Sequence, residues 1–150
     1  MKIRVIHGPN LNTLGIRKPH IYGSDTLDNV NANILRFAKG IALETISVVD
    51  IDFFQSNHEG DIVNYLQSCY NENVDGIIIN PGALAHYSYV LRDALESISI
   101  PAIEVHISNI SAREDFRHTS VIAPVCVGQI SGLGAYGYIC ALMAFQHRLN

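Results

Sequence analysis

Apolar positions in this chain fall into short runs, and the runs alternate with stretches of helical spacing. Ile3 to His7 reads as a first strand. Leu27, Val30, Ile34, Leu35 and Ala38 then recur at the 3.6-residue period of a helix from Thr26 to about Ala42. A second strand lies within Ile46 to Phe54. Ser56-Asn57-His58-Glu59 has the spacing of a capping box, which opens a helix carrying Ile62, Val63, Leu66 and Tyr70. Gly76 to Ile79 is a continuous apolar run, as buried parallel strands show. Asn80-Pro81-Gly82 ends it, and a helix follows from about Ser88 to Ser97. Pro101 precedes a fourth strand, Ala102 to Val105. Ser111-Ala112-Arg113-Glu114 repeats the capping-box pattern and predicts a short helix. A fifth strand, Val125 to Ile130, and a last helix, Ala135 to Arg148, complete the pattern.

Strands alternating with helices imply an α/β fold: a doubly wound parallel sheet covered on both faces, in a single domain over residues 1–150. Right-handed crossovers leave few topologies. For five strands at this size the expected one is flavodoxin-like, with order 2-1-3-4-5. Such sheets bind ligands beyond the carboxyl ends of the strands, at the switch point between strands one and three.

Composition adds exclusions. The chain is 48% hydrophobic and 16% charged, as an ordinary soluble globular protein is. Its formal charge of -4, with no basic stripe, speaks against a nucleic-acid surface. Cys69, Cys126 and Cys140 are odd in number, have no metal spacing and suit a reducing cytosol. Met1-Lys2-Ile3-Arg4 enters a strand directly, with no secretory signal before it. No apolar run approaches the ~18–20 residues a membrane span needs. A cytoplasmic protein is the expectation, and the Asn109-Ile110-Ser111 sequon is then chance.

The switch-point rule selects candidate residues. Beyond strand one runs an irregular stretch of roughly fifteen residues, a length common in lids and binding loops. It holds Asn10, Asn12, Arg17 and Tyr22. Asn80, Gly82 and His86 follow strand three, and His106, Ser108, Arg113 and Arg117 follow strand four. All should gather at one edge of the sheet. His106 at a strand end reads either as a satisfied core histidine or as a functional one. Glu104, two residues earlier on the same face, favours the second, because a carboxylate can orient an imidazole as a general acid. Arg113 and Arg117, four apart, share a helix face: they either pair with Glu114 and Asp115 or point at an anionic ligand. Tyr22 is either a packing anchor or a base, and as a base it needs cationic neighbours such as Arg17.

Other motifs fail. Gly132-Leu133-Gly134-Ala135-Tyr136-Gly137 matches G-x-G-x-x-G, but too little chain follows for a dinucleotide-binding unit. Its glycines instead suit close packing of the last helix. Gly128-Gln129-Ile130-Ser131-Gly132 is not a nucleophile elbow, and His58-Glu59-Gly60 lacks the second histidine of a zinc motif. Of the lysines, Lys2 opens a strand, Lys39 sits late in a helix and Lys18 lies on the loop; none suits imine chemistry, which needs a desolvated amine. What remains is a base, an acid, amides and arginines. That set suits proton abstraction beside a carbonyl in an anionic substrate, followed by loss of an acid-assisted leaving group. A non-catalytic flavodoxin-like module for a flavin or nucleotide is the alternative, although no phosphate cradle follows strand one.

Several blocks, in order, carry a resemblance: Gly8-Pro9-Asn10-Leu11-Asn12, Arg17 to Gly23, Phe53 to Gly60, Asn80-Pro81-Gly82-Ala83, Leu91-Arg92-Asp93-Ala94, Ile103 to Asn109, Ala112-Arg113-Glu114 and Phe116-Arg117-His118. Over essentially its whole length the chain resembles type II 3-dehydroquinate dehydratase (type II dehydroquinase). The resemblance implies a cofactor-free shikimate-pathway lyase that dehydrates 3-dehydroquinate to 3-dehydroshikimate by anti elimination through an enolate, without a Schiff base. By it Tyr22 is the base, Arg17 its activator, Asn10 the amide that holds a water on the enolate oxygen, His106 the acid and Glu104 its orienting partner. Asn80, His86, Ile107, Ser108 and Arg117 would bind substrate, with Arg113 on the lid side. Asp93 would reach a neighbouring subunit's site in a homododecamer, a tetramer of trimers. Gly15, Pro19 and Gly23 suggest that the loop closes as a lid. The chain departs from the family's usual pattern at Leu84-Ala85 before His86, at Ser111, which should still cap the short helix, and in a longer Ile41 to Asp50 stretch.

Overall fold

The computed structural model describes residues 1–16, 19–22, 24–45 and 48–149, with the backbone alone at 19, 22, 43–45 and 149. Strands β1 (Lys2–His7), β2 (Asp50–Gln55), β3 (Gly76–Asn80), β4 (Ala102–His106) and β5 (Gly128–Ser131) form one sheet in the order β2-β1-β3-β4-β5. Every pairing is parallel, so each strand needs a crossover before its successor. The order is the 2-1-3-4-5 that the alternating pattern predicts. The helices are α1 (Pro19–Tyr22), α2 (Leu27–Thr45), α3 (Glu59–Asn71), α4 (Tyr89–Ile98) and α5 (Tyr136–Leu149).

Alternation along the strands divides the core in two. Ile3, Val5, Ile78, Ile103 and Val105 pack under α2 and α5, while Ile6, Ile77, Ile79 and Ala102 pack under α3 and α4. The central strand β3 is buried throughout because both its faces are covered. Of the glycines expected to let the last helix pack closely, Gly137 does so, whereas Gly132 and Gly134 take up positive φ in the loop before it, and a Cβ on Gly134 would meet nothing within 4 Å. A Cβ on Gly137 would lie 3.2 Å from Val105 Cγ1, so its absence lets α5 sit close on β4.

Local signals are overruled at several points. Thr26 caps α2, its Oγ1 accepting the Asn29 N–H at 3.2 Å, but the helix runs past Ala42 to Thr45. Strand β2 starts at Asp50, and Ile46 and Ser47 lie outside the described residues. Strand β5 starts at Gly128 rather than Val125, because Ala123–Val125 winds into a 3-10 turn around Pro124, which has no N–H for a ladder. Ser56 does not cap α3; the N-cap residue is His58. Ser56 Oγ instead accepts the His58 N–H at 2.9 Å and donates to Asp61 at 3.0 Å. Glu59 is drawn away to accept a hydrogen bond from Ser88, whose Oγ in turn caps α4 at the Leu91 N–H. A tertiary contact between two helix starts has replaced a local cap.

Candidate active site

Strands β1, β3 and β4 end at one edge of the sheet, and the loops that follow them line a cleft there. The first two loops cross at close quarters. The Gly8 N–H donates to the Asn80 carbonyl at 2.7 Å, and a Cβ on Gly8 would lie 2.5 Å from the Pro81 oxygen. Gly82 adopts φ +58°, with the Pro9 oxygen 3.1 Å from where its Cβ would be. Asn10, also left-handed at φ 68°, is held by its N–H to Asn57 Oδ1 at 2.8 Å. It faces the cleft.

Glu104 and His106 project from the same face of β4 and are both buried. Glu104 Oε1 meets His106 Nε2 at 2.5 Å. The carboxylate also accepts from Gln129 Nε2 at 3.0 Å and Ser120 Oγ at 2.9 Å. Three donors converge on one buried carboxylate, which holds it as an acceptor and fixes the ring beside it. His106 lines the cleft, so its Nδ1 edge is the one offered to a ligand.

His86 stacks on His106 with ring centroids 6.2 Å apart and 14° between planes. Its Nδ1 lies 2.9 Å from the Thr119 carbonyl, which can only accept, so Nδ1 carries the proton. Burial pushes this imidazole below its ordinary pKa, and nearby His106 and Arg117 push the same way. The ring is therefore buttressed from the far side by backbone, while Leu84 and Ala85 turn into the core.

The segment after β4 corrects an expectation. No short helix begins at Ser111. Two 3-10 turns, Ile110–Ala112 and Asp115–Arg117, flank an extended Arg113 at φ -115°, ψ -158°. The cap is Asn109, whose side chain accepts the Ser111 N–H at 3.2 Å. Arg113 and Arg117 thus share no helix face, yet both line the cleft. Arg113 Nη1 donates to Ser108 Oγ at 3.1 Å and its Nε lies 3.5 Å from Glu114. Arg117 Nε donates to the same carboxylate at 2.8 Å, and its guanidinium lies over Phe116, 4.6 Å from the ring centroid. The exposed Glu114 holds both arginines over the cleft mouth while remaining in water.

Of the other expected residues, Asn80, Ile107 and Ser108 also line the cleft. Asp93 is exposed on α4, away from it. Asn12 is exposed in the 3-10 turn Leu11–Thr13. Tyr22 closes α1, but its side chain, like the whole of Arg17, lies outside the described residues. Lys2 sits at the opposite end of the sheet, donating to the Glu72 carbonyl at 2.8 Å, and Lys39 is exposed on α2. Among the described residues, no three His, Cys, Asp or Glu side chains cluster closely enough to hold a metal ion. No described helix is long and apolar enough to cross a membrane.

Residues 1–146 match the family model described as Dehydroquinase class II. The chain belongs to that family. It is 54% identical to the 3-dehydroquinate dehydratase of Caldicellulosiruptor bescii, covering 99% of both chains. It is 53% identical to that of Bacillus licheniformis, covering 99% of this chain and 97% of the relative. Among solved structures, the type II dehydroquinase of Butyrivibrio crossotus superposes with TM-score 0.92 at 50% identity, covering 97% of each chain. That of Propionibacterium acnes superposes with TM-score 0.90 at 37% identity, covering 97% of this chain and 96% of the other.

Sequence pattern alone missed the groups that hold the expected residues in place. Gln129 and Ser120 bind Glu104, and Tyr138 binds Asn80. Gln129 is the register partner of Glu104 on β5, so strand pairing was the signal for it. Ser120 and Tyr138 arrive from distant segments and left no local trace.

Proposed function

We propose that this chain dehydrates 3-dehydroquinate to 3-dehydroshikimate by anti elimination through an enolate. Tyr22, activated by Arg17, removes the proton beside the ketone, and Asn10 holds a water against the enolate oxygen. His106, oriented by Glu104, protonates the departing hydroxyl, which leaves as water. Asn80, His86 and Arg117 bind the substrate, and the backbone amides of Ile107 and Ser108 grip its carboxylate, with Arg113 on the lid side. The reaction uses no Schiff base and no cofactor. The setting is the shikimate pathway in the cytoplasm, and the working particle is a homododecamer in which Asp93 reaches a neighbouring site.

One observation carries this reading: the buried Glu104–His106 pair opens onto a cleft that two arginines overhang. That is a fixed acid beside a site for an anionic, polar substrate. Family membership over residues 1–146 and relatives named 3-dehydroquinate dehydratase supply the substrate. The test is direct. Purified protein mixed with 3-dehydroquinate near neutral pH should produce a conjugated enone, read as rising ultraviolet absorbance. Folded protein that leaves the absorbance flat would sink the proposal. Borohydride added with substrate should not inactivate the enzyme; covalent inactivation would point to an imine through Lys18.

A further inference from the structure

His7 and Asn80 end β1 and β3 as register partners on the face under α2 and α5. Between them stands the Tyr138 hydroxyl, fully buried. Asn80 Nδ2 lies 3.0 Å from Tyr138 Oη, Tyr138 Oη lies 3.1 Å from His7 Nδ1, and His7 Nε2 lies 2.9 Å from Asn31 Oδ1 on α2.

The direction of every bond in this chain follows from one backbone group. The Gly82 N–H can only donate, and it lies 3.2 Å from the Asn80 side chain. Asn80 must therefore turn its oxygen to Gly82 and its nitrogen to Tyr138. The Tyr138 oxygen then accepts, so its own proton goes to His7 Nδ1. His7 must carry its proton on Nε2 and donate to Asn31. The His7 ring is held for this role by a parallel stack on Phe53 at 6.3 Å and an edge contact with Tyr138 at 5.3 Å. Burial favours the neutral ring that the chain requires.

We propose that His7 and Tyr138 are positioning residues that lock the Asn80 amide in one orientation, leaving its second N–H for a hydroxyl of the bound substrate. This rests on the reading above that Asn80 binds substrate. The hydrogen-bond chain tethers a ligand-binding amide to helix α2 through the core, and neither His7 nor Tyr138 lines the cleft. Without the hydroxyl of Tyr138, or without an acceptor at position 7, the Gly82 N–H alone holds the amide through its oxygen, and the nitrogen that faces the substrate loses its anchor.

Two measurements separate this from the proposed activity. Nitrogen NMR of the ligand-free enzyme should show His7 as the neutral Nε2–H tautomer, with an unprotonated Nδ1; the Nδ1–H tautomer would overturn the proposal whatever the activity. In the enone assay, Tyr138→Phe should raise KM about tenfold with little change in kcat, as expected for one hydrogen bond made equally in ground and transition states. His7→Leu should do the same. His7→Gln presents an amide oxygen to Tyr138 and an N–H to Asn31, and should restore KM to within about threefold of the original. Equal KM values for the Leu and Gln variants, or no change in either, would overturn the proposal. If Tyr138→Phe does not fold, the His7 pair still decides. If the unaltered enzyme yields no enone, the activity reading fails, and the tautomer remains the test of the chain.

Discussion

Glu104 and His106 are two residues apart on β4, and the carboxylate that grips the imidazole is itself gripped by Gln129 and Ser120. All three partners donate. A glutamine at position 104 would keep the shape but bring its own N–H2, so at least one donor would face another donor. We expect Glu104→Gln to lower kcat about 100-fold, the scale of a misplaced general acid, with a smaller change in KM. Steady-state enone kinetics read this. A kcat within threefold of the original would show that the pair does not serve catalysis.

The close crossing of the β1 and β3 loops should make Gly8 intolerant of any side chain. A Cβ there lies 2.5 Å from a backbone oxygen, so the loops must part. Gly8→Ala should cost about 1–3 kcal/mol, which lowers Tm by about 2–4 °C per kcal/mol at this chain length. Gly60→Ala on α3, where a Cβ meets nothing within 4 Å, is the control and should be neutral or slightly stabilising. Equal thermal melts for the two variants would contradict the steric argument.

Burial lowers the His7 pKa from 6.5 to about 4 in the folded protein. Between these values the unfolded chain binds a proton that the native state refuses, so stability rises with pH across this window. The contribution is fully present above pH 6.5, is lost as pH falls toward about 4, and amounts to about 3 kcal/mol. Denaturant unfolding at pH 7, 5.5 and 4 should trace the loss, and His7→Gln should flatten this part of the profile. An unchanged slope in the variant would assign the acid sensitivity elsewhere.

If Tyr22 is the base, Tyr22→Phe should lower turnover by about 10²–10⁴-fold while the far-ultraviolet circular dichroism stays the same. Retained turnover in a well-folded variant would remove Tyr22 from the mechanism.

Much of this molecule was legible in its sequence. The five apolar runs, the helical spacing between them and the switch-point rule together predicted the sheet order. They also brought Asn10, Asn80, His86, His106, Ser108, Arg113 and Arg117 to one cleft. Local capping signals misled because side-chain oxygens at Ser56 and Glu59 choose among all the donors the fold brings near, and because Asn109 rather than Ser111 caps the turn after β4. Ser88 approaches Glu59 from another helix.

By itself, the sequence determined period and order: which face of each strand is apolar, and which loops follow which strand ends. Those are short-range properties, set by the alternation of side chains and the handedness of crossovers. Only the tertiary structure decided how the site residues are held. Glu104 depends on Gln129 and Ser120, and Asn80 on Tyr138 and His7, all supplied by segments far along the chain. A hydrogen bond is directional and acts over about 3 Å. Such partners are fixed by three-dimensional proximity, which no local pattern encodes.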